Sequence, residues 1–309
     1  MARSRFVGDA GLTARMTLVM FLLGLVFVGL IVGLMIAFSG SGFAILIGIG
    51  GIGFAVYQWY NSDKTAMRAM RAREVTPEQA PELHGMIDRL CALADMPKPR
   101  VGIADTSVPN AFATGRSPER SVVCVTTGIL QTLSAEELEG VLAHELSHVA
   151  HRDVLVMTVA ASAGITAGML AQGAQYGAFF GGFGGRRDNN NSGGLPIWLV
   201  VLIVSMVTYA VSFVLLRILS RYRELSADRA GAHLTMNPAA LASALQKISG
   251  GMTQIPQRDL REVEGMNAFF IIPTNLRARS AELFMTHPPL EKRLEQLAKI
   301  QAELGRPTP

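Results

Sequence analysis

Four long apolar runs without charged side chains dominate the pattern of hydrophobic and polar positions along this 309-residue chain. Residues 16–38 and 42–60 form the first pair, and each run is long enough to cross a hydrocarbon core of about 30 Å. The short Ser39–Ser41 segment between them is typical of a tight turn. The pattern therefore predicts an N-terminal transmembrane hairpin over residues 1–63.

The second pair of apolar runs covers residues 154–185 and 195–216, with a Gly-rich loop between them. Run 154–185 is rich in Ala and Gly, which suits close packing of transmembrane helices. We therefore predict a second transmembrane hairpin over residues 154–219, and four transmembrane helices in all. A buried hairpin of a soluble domain is the alternative interpretation of this segment.

The polar remainder of the chain, residues 64–153 and 220–309, is expected to form the two parts of one domain outside the membrane. Apolar residues at helical spacing predict helices over about 77–94, from 135 onward, over 220–248 with a break at Asn237–Pro238, and from about 289. Short β-prone runs at 100–104, 110–114 and 121–126 are separated by Gly and Pro, which indicates a small antiparallel sheet. The predicted fold class is α+β and mostly helical.

Composition agrees with a membrane protein, because 50% of the residues are hydrophobic and only 17% are charged. The net charge of +4 is too small and too scattered to indicate a nucleic-acid partner. The two cysteines, Cys91 and Cys124, lack metal-ligand spacing and are expected to be buried free thiols.

The positions of the basic residues predict an orientation in the membrane. Cations cluster before the first run, after the second, before the third and after the fourth: Arg3, Arg5, Arg15, Lys64, Arg68, Arg71, Arg73, Arg152, Arg217, Arg221 and Arg223. Since cytoplasmic flanks carry an excess of Lys and Arg, both termini and the domain formed by residues 64–153 and 220–309 are expected to face the cytoplasm. Arg186 and Arg187 in the Gly-rich loop depart mildly from this pattern.

A His-Glu-x-x-His motif at residues 144–148 carries the most specific chemistry of the chain. On a helix, His144 and His148 lie one turn apart on one face and can bind one Zn²⁺, while Glu145 lies beside the metal as a general base. Ser134 and Glu137 form a capping-box pattern that predicts a helix start at about Ala135. The alternative is a pair of ordinary helix histidines.

A catalytic zinc keeps three protein ligands and one water, so a third ligand is needed. Glu224 is the best candidate, in the run Arg221-Tyr222-Arg223-Glu224-Leu225-Ser226-Ala227-Asp228. Asp228 shares its face at i+4 and is expected to support a ligating histidine. The alternative for Glu224 is a solvated glutamate in a charge cluster beside the membrane.

Several motifs occur in an order that resembles the HtpX-type membrane zinc metalloproteases, relatives of the CaaX prenyl proteases. They are the N-terminal hairpin, Pro109-Asn110-Ala111-Phe112-Ala113, the run from His144 to Asp153, Glu224-x-x-x-Asp228, and Thr286-His287-Pro288-Pro289-Leu290. The resemblance covers nearly the whole chain. It implies a zincin-like metalloprotease domain with one Zn²⁺ held by His144, His148 and Glu224, and with Glu145 as the general base.

The same resemblance implies further site residues. Asn110, Ala111 and Phe112 would form an edge strand for substrate, and His287 and Arg293 would stabilise the oxyanion. Purely structural roles are the alternatives. Asn110 could be a turn residue, His287 a helix cap, and Arg293 a solvated partner of Glu291 or Glu295.

Together these features predict an integral-membrane zinc endopeptidase of a bacterial inner (plasma) membrane, with its catalytic domain on the cytoplasmic face. Its expected partners are the lipid bilayer and protein or peptide substrates, and the resemblance points to quality control of misfolded membrane proteins in the stress response. Two alternatives remain. One is a prenyl-peptide protease with a lipid-lined chamber, although four transmembrane helices are few for enclosing a large chamber. The other is a non-catalytic membrane adaptor with a structural zinc.

Overall fold

A computed structural model of the chain describes residues 9–37, 49–50, 52–53, 56–57, 60–153, 197–254 and 288–305. The helices are α1 (Ala10–Ala37), α2 (Ser62–Ala69), α3 (Pro81–Ala94), α4 (Thr127–Thr132), α5 (Ala135–Ala150), α6 (Ile197–Thr235), α7 (Pro238–Gln254) and α8 (Leu290–Leu304). The strands are β1 (Ala72–Glu74), β2 (Arg100–Ala104), β3 (Ala111–Gly115) and β4 (Ser121–Thr126). A short 3₁₀ helix, Pro118–Arg120, precedes β4.

The chain divides into two compact units. One consists of Met1–Ala14, Asn61–Leu155 and Leu219–Pro309, and we call it the sheet-containing unit. The other consists of Arg15–Tyr60 and Val156–Ile218, and we call it the apolar unit.

The sheet is mixed, so the prediction of a purely antiparallel sheet is wrong. Its strand order is β1-β2-β4-β3, with β2 and β4 parallel and the other two pairs antiparallel. The physical reason is the burial of β4, whose six residues are all buried, which suits an inner strand with an apolar neighbour on each side. Strand β3 then folds back antiparallel on the outer side of β4 and becomes an edge.

Strand boundaries follow the sequence prediction closely for the apolar strands and fail for β1. Strands β2 and β4 occupy the predicted residues, and β3 is displaced by one residue. Strand β1 reads Ala-Arg-Glu and is too short and too polar to show an alternating pattern. It pairs with β2 through Arg73 opposite Ile103.

The helices that the sequence predicts in the sheet-containing unit are present at the predicted positions, except that one begins later than predicted. Helix α3 begins at Pro81 rather than near residue 77, because a turn at Thr76–Gln79 precedes it and Pro81 occupies the first turn of the helix. The predicted break near Asn237 is confirmed. Met236 has a positive φ of 52°, and Asn237 Oδ1 accepts a hydrogen bond from Ala240 N at the start of α7.

Helix α5 lies in the core of its unit and packs against β3, β4 and α7. The predicted capping box is present, since Ser134 N donates to Glu137 Oε2 at 2.8 Å and Glu137 N donates to Ser134 Oγ at 3.3 Å. The same carboxylate accepts from Ser243 Oγ and Lys247 Nζ, which ties α5 to α7. Burial opposes ionisation, but these bonds outweigh it and lower the pKa of Glu137 to about 2.

Cys91 and Cys124 are buried free thiols, as predicted. Burial raises the pKa of Cys91 to about 11 and that of Cys124 to about 12. Both thiols therefore stay protonated and unreactive at neutral pH.

Within the described residues, two helices are long and apolar enough to cross a membrane, namely 10–33 of α1 and 199–235 of α6. Large apolar side chains on both helices are exposed, as Phe21 and Met206 illustrate, which suits a lipid environment. Most of the predicted second span and all of the third lie outside the described residues, so four transmembrane helices stay a prediction.

Candidate metal centre

The two histidines of helix α5 face each other at the centre of the site. His144 Nε2 and His148 Nε2 are 3.2 Å apart, and the rings meet edge to face with centroids 4.8 Å apart. The side chains are almost fully buried, with relative exposures of 1% and 5% for the two residues. Both histidines therefore lie in the protein interior, and their role as metal ligands stays a prediction.

Helix α6 brings Glu224 to the same point. Its Oε2 lies 3.5 Å from His144 Nε2, and its Oε1 lies 3.6 Å from His148 Nε2. One ligand atom from each of these residues lies within 4.8 Å of the others. Glu224 is only 3% exposed, so the interpretation as a solvated glutamate is wrong.

Each imidazole is held from behind by a carboxylate. Asp228 Oδ1 lies 2.9 Å from His144 Nδ1, and Asp153 Oδ2 lies 2.8 Å from His148 Nδ1. An ionised carboxylate at this distance favours the tautomer with the proton on Nδ1, as a hydrogen-bond acceptor for Nδ1–H, which leaves the lone pair of Nε2 available to a metal.

These residues fit a divalent zinc ion. Two Zn–N bonds of about 2.0–2.1 Å at a tetrahedral angle place the nitrogens about 3.3–3.4 Å apart, close to the separation found here. Two imidazole lone pairs and a carboxylate converging in a buried space repel one another unless a cation lies between them. The donor set of two nitrogens and one oxygen is typical of a catalytic zinc.

Without a metal, the site would hold a proton instead. Burial disfavours the imidazolium, but hydrogen bonds to Asp228 and Glu224 outweigh burial and raise the pKa of His144 to about 9. Metal binding requires neutral histidine and therefore displaces this proton.

Glu145 is buried on the same helix as the two histidines. Burial raises the pKa of its carboxyl above the usual value, and the charges of His144 and His148 act in the opposite direction. A carboxylate whose pKa moves toward neutrality suits proton transfer.

Two buried arginines complete the polar network. Arg293 of helix α8 donates from Nε and Nη2 to both oxygens of Asp228 at 2.7 Å, and Arg223 Nε lies 2.9 Å from Asp153 Oδ2. Burial opposes ionisation of Asp153, but the charges of Arg223 and His148 lower its pKa. Each of the two histidines therefore lies against an aspartate, and each aspartate lies against an arginine.

Asp153 and Arg223 were not predicted as site residues. Asp153 follows helix α5, where Arg152 takes a left-handed conformation with φ 58° and turns the chain back toward the helix. Helical spacing does not predict this contact, since i+5 does not share the face of His148. The sequence feature that could have indicated Asp153 is an acidic residue three positions after the end of α5.

Arg293 is 1% exposed and paired with Asp228, so its interpretation as a solvated partner of Glu291 or Glu295 is wrong. Its Nη1 lies 3.8 Å from Glu224 Oε2, which places the guanidinium at the edge of the ligand set. His287, the other predicted oxyanion residue, lies outside the described residues. The oxyanion role of both stays a prediction.

The predicted substrate strand lies beside helix α5. Ala111 and Phe112 begin strand β3, and Asn110 is bonded through its backbone to Thr126, since Thr126 N donates to Asn110 O at 3.0 Å. All three predicted residues are buried, so Asn110 is not a simple exposed turn residue. Strand β3 pairs with β4 alone among the described strands, and it occupies an edge of the sheet.

Comparison with known proteins defines the class of this fold and site. The sequence profile of "Peptidase family M48" matches residues 77–301. The chain therefore belongs to peptidase family M48, and it is a protease. The resemblance to HtpX-type metalloproteases is confirmed by the relatives described next.

"Protease HtpX homolog 1" of Streptomyces coelicolor is 50% identical over 98% of this chain and 97% of its own length. "Protease HtpX homolog" of Moorella thermoacetica is 47% identical over 98% of each chain. Among solved structures, the crystal structure of S. mikatae Ste24p matches with a TM-score of 0.53 at 17% identity. That match covers 92% of this chain and 65% of Ste24p, and it shows a shared fold.

Proposed function

We propose that this protein is an integral-membrane zinc endopeptidase with one zinc ion, held by His144, His148 and Glu224. The convergence of two imidazole nitrogens and one carboxylate in a buried space supports the proposal most strongly. Family membership supports the protease activity, and the donor set supports zinc.

Each residue of the site has a separate role in the proposed peptide hydrolysis. When bound, Zn²⁺ acts as a Lewis acid on the scissile carbonyl and lowers the pKa of water to about 7. Glu145 accepts a proton from the attacking water and returns it to the leaving amine. Asp228 and Asp153 hold the Nδ1 protons of the two histidines, so that both Nε2 atoms stay directed at one point. His287 and Arg293 complete the proposal as donors near the developing oxyanion.

We propose that an extended substrate adds to β3, which lies at an edge of the sheet. The proposed peptide would pair with the backbone of the strand that follows Asn110 and begins with Ala111 and Phe112. Backbone pairing holds extended chains irrespective of their side chains. Such recognition suits a protease that removes misfolded proteins of varied sequence.

The apolar helices support action at a membrane surface. We place the sheet-containing unit on the cytoplasmic side of a bacterial inner membrane, because the Lys and Arg residues of the chain flank its apolar runs on that side. Misfolded membrane proteins and their exposed loops are the proposed substrates, in the quality control of the stress response. The resemblance to HtpX-type proteases supports this substrate class.

A structural zinc in a non-catalytic adaptor is the weaker candidate. Structural sites close the metal with four protein ligands, whereas the described residues supply three. A buried carboxylate at Glu145 costs stability and has no use in such a site. A prenyl-peptide protease would use the same metal chemistry but would require a prenylated substrate. Cleavage of an unprenylated membrane protein would therefore favour the proposed endopeptidase.

Replacing the general base tests the proposed mechanism. Glu145→Gln should retain zinc and lose at least about 100-fold in cleavage of casein or a model membrane substrate, because a positioned base typically contributes about 10²–10⁴-fold. Glu139→Gln is the matched control, since Glu139 lies on the same helix and forms a surface ion pair with Arg89. Undiminished cleavage by Glu145→Gln would disprove the mechanism, and loss of zinc would show a ligand or structural role instead.

A further inference from the structure

The first turn of helix α1 belongs to the sheet-containing unit, although most of this helix is apolar. Met1–Ala14 groups with that unit, and Leu12 in this turn is buried. Asp9 begins the helix as its N-cap, because its Oδ1 accepts a hydrogen bond from Leu12 N at 2.8 Å.

The carboxylate of Asp9 also binds helix α6, more than 200 residues later in the chain. Ser226 Oγ donates to Asp9 Oδ2 at 2.8 Å, and Tyr222 OH donates to Asp9 Oδ1 at 3.3 Å. Burial opposes ionisation of Asp9, but the bonds from Leu12, Ser226 and Tyr222 outweigh it and lower its pKa. A helix cap needs only the first of these three bonds.

Tyr222 and Ser226 lie on the opposite side of α6 from the metal ligand. They are i and i+4, as are Glu224 and Asp228, and the two pairs differ by two residues, or about 200° around the helix. The face with Glu224 and Asp228 meets His144. The opposite face meets Asp9, so α6 is held from both sides at the height of the third ligand.

We propose that Asp9 is a positioning residue of the metal centre, which fixes the rotation and distance of helix α6 and thereby directs Glu224 toward His144 and His148. The proposal rests on the proposed function, since it assumes that these three residues bind zinc. It assigns a role to the N-terminal residues beyond membrane anchoring. A detached first turn would remove the hydrogen bonds of Asp9 from the side of α6 opposite Glu224.

Zinc affinity separates this role from simple helix capping. Asp9→Ser keeps a good N-cap residue, because Ser and Asp are about equal at that position, but its short side chain cannot reach α6 as well. Ser226→Ala and Tyr222→Phe remove the contact from the other side and leave the cap of α1 intact. Tyr209→Phe is the matched control, because Tyr209 is an exposed tyrosine on the same helix.

The full-length protein in detergent would be titrated with zinc against a chromophoric chelator, and peptide cleavage would be followed in parallel. Asp9→Ser and Ser226→Ala should each raise the zinc dissociation constant by roughly 3- to 10-fold, less than the 10- to 100-fold typical of groups that touch a ligand directly. The double variant should lose little more than either single variant, because both remove one contact. At saturating zinc, kcat should fall and KM should stay within about twofold, since β3 is untouched.

Unchanged zinc affinity in Asp9→Ser and Ser226→Ala, with zinc bound and peptide cleaved by the unmodified chain, would overturn this inference alone. Full additivity of the two substitutions would also overturn it. If the unmodified chain bound no zinc, the proposed function would fail first and this inference with it.

Discussion

At the residue scale, the two histidines of the site lie in a buried network of paired aspartates and arginines. Asp153 and Asp228 each contact one histidine and one arginine. Removal of one member of a buried ion pair typically costs about 3–5 kcal/mol, because the remaining charge stays desolvated. The arginines therefore keep both aspartates ionised, and the aspartates keep the histidines in the tautomer that a metal needs.

Neutralising Asp153 tests the role of a residue that the sequence did not predict. Asp153→Asn should lower zinc affinity by about 10- to 100-fold, because His148 loses the carboxylate behind it. Chelator competition on the purified protein measures the change. Asp88→Asn, at a surface ion pair with Lys98, is the control and should leave affinity unchanged. Equal affinities for the two variants would remove Asp153 from the site.

Local spacing predicted the residues that share one helical face and missed those that meet through tertiary folding. His144, Glu145 and His148 follow from a single helix, and the pair Glu224–Asp228 follows from another. The contact of Arg293 with Asp228 joins residues 65 positions apart, and no local pattern encodes it. Asp153 reaches His148 only because the chain reverses at Arg152.

At the element scale, the approach of α6 to α5 sets the size of the metal centre. Gly231 makes this approach possible, because a Cβ there would lie 2.9 Å from His144 N and 3.2 Å from Ala143 C. Both atoms belong to the backbone of α5 and cannot rotate away. The two ligand-bearing helices are thus in contact one to two turns beyond Glu224.

An added methyl group at Gly231 should push these helices apart. Gly231→Ala is expected to destabilise the protein by about 1–3 kcal/mol, as overpacking in a core typically does, and to lower zinc affinity. Thermal unfolding in detergent with and without zinc measures both effects. Gly85→Ala is the control, since Gly85 is exposed on α3 with open space around it and should gain up to about 1 kcal/mol of helix stability. A variant at Gly231 as stable as the control would contradict the close-approach account.

The hydrophobic pattern predicted the positions of three strands in the sequence, but it did not predict how the strands pair in the sheet. Strands β2 and β4 have the predicted bounds because each contains a short, largely buried run of β-prone residues between turns. Their parallel pairing depends on β3 crossing to the outer side of β4, which no strand encodes by itself. The capping box predicted the start of α5 to the residue, since it is a local hydrogen-bonding pattern.

At the scale of the whole molecule, two long apolar runs separate the candidate ligands His148 and Glu224 in the sequence. His148 and Glu224 belong to one compact unit, yet the segment between them contains two of the four predicted spans. Helix α6 carries an apolar part and then Glu224 without interruption. One uninterrupted helix therefore carries both an apolar segment and a candidate metal ligand.

Topology follows from that arrangement and can be measured. A reporter fused at residue 190 should lie on the side opposite the C-terminus, because spans on either side of it are predicted. A phosphatase that is active only outside the cytoplasm should therefore work at residue 190 and fail at residue 309, and a fluorescent protein should show the reverse. Cytoplasmic signals at both positions would show that residues 154–219 do not cross the membrane.

The central claim is that Glu224 joins His144 and His148 on one metal ion, and the zinc content of purified Glu224→Ala tests it most directly. The unmodified chain should carry about one zinc per molecule, as a single three-ligand site requires. Glu303→Ala, an exposed glutamate on α8, should match it. Glu224→Ala should retain only a small fraction of the metal after dialysis. Full stoichiometric zinc in Glu224→Ala would contradict the account.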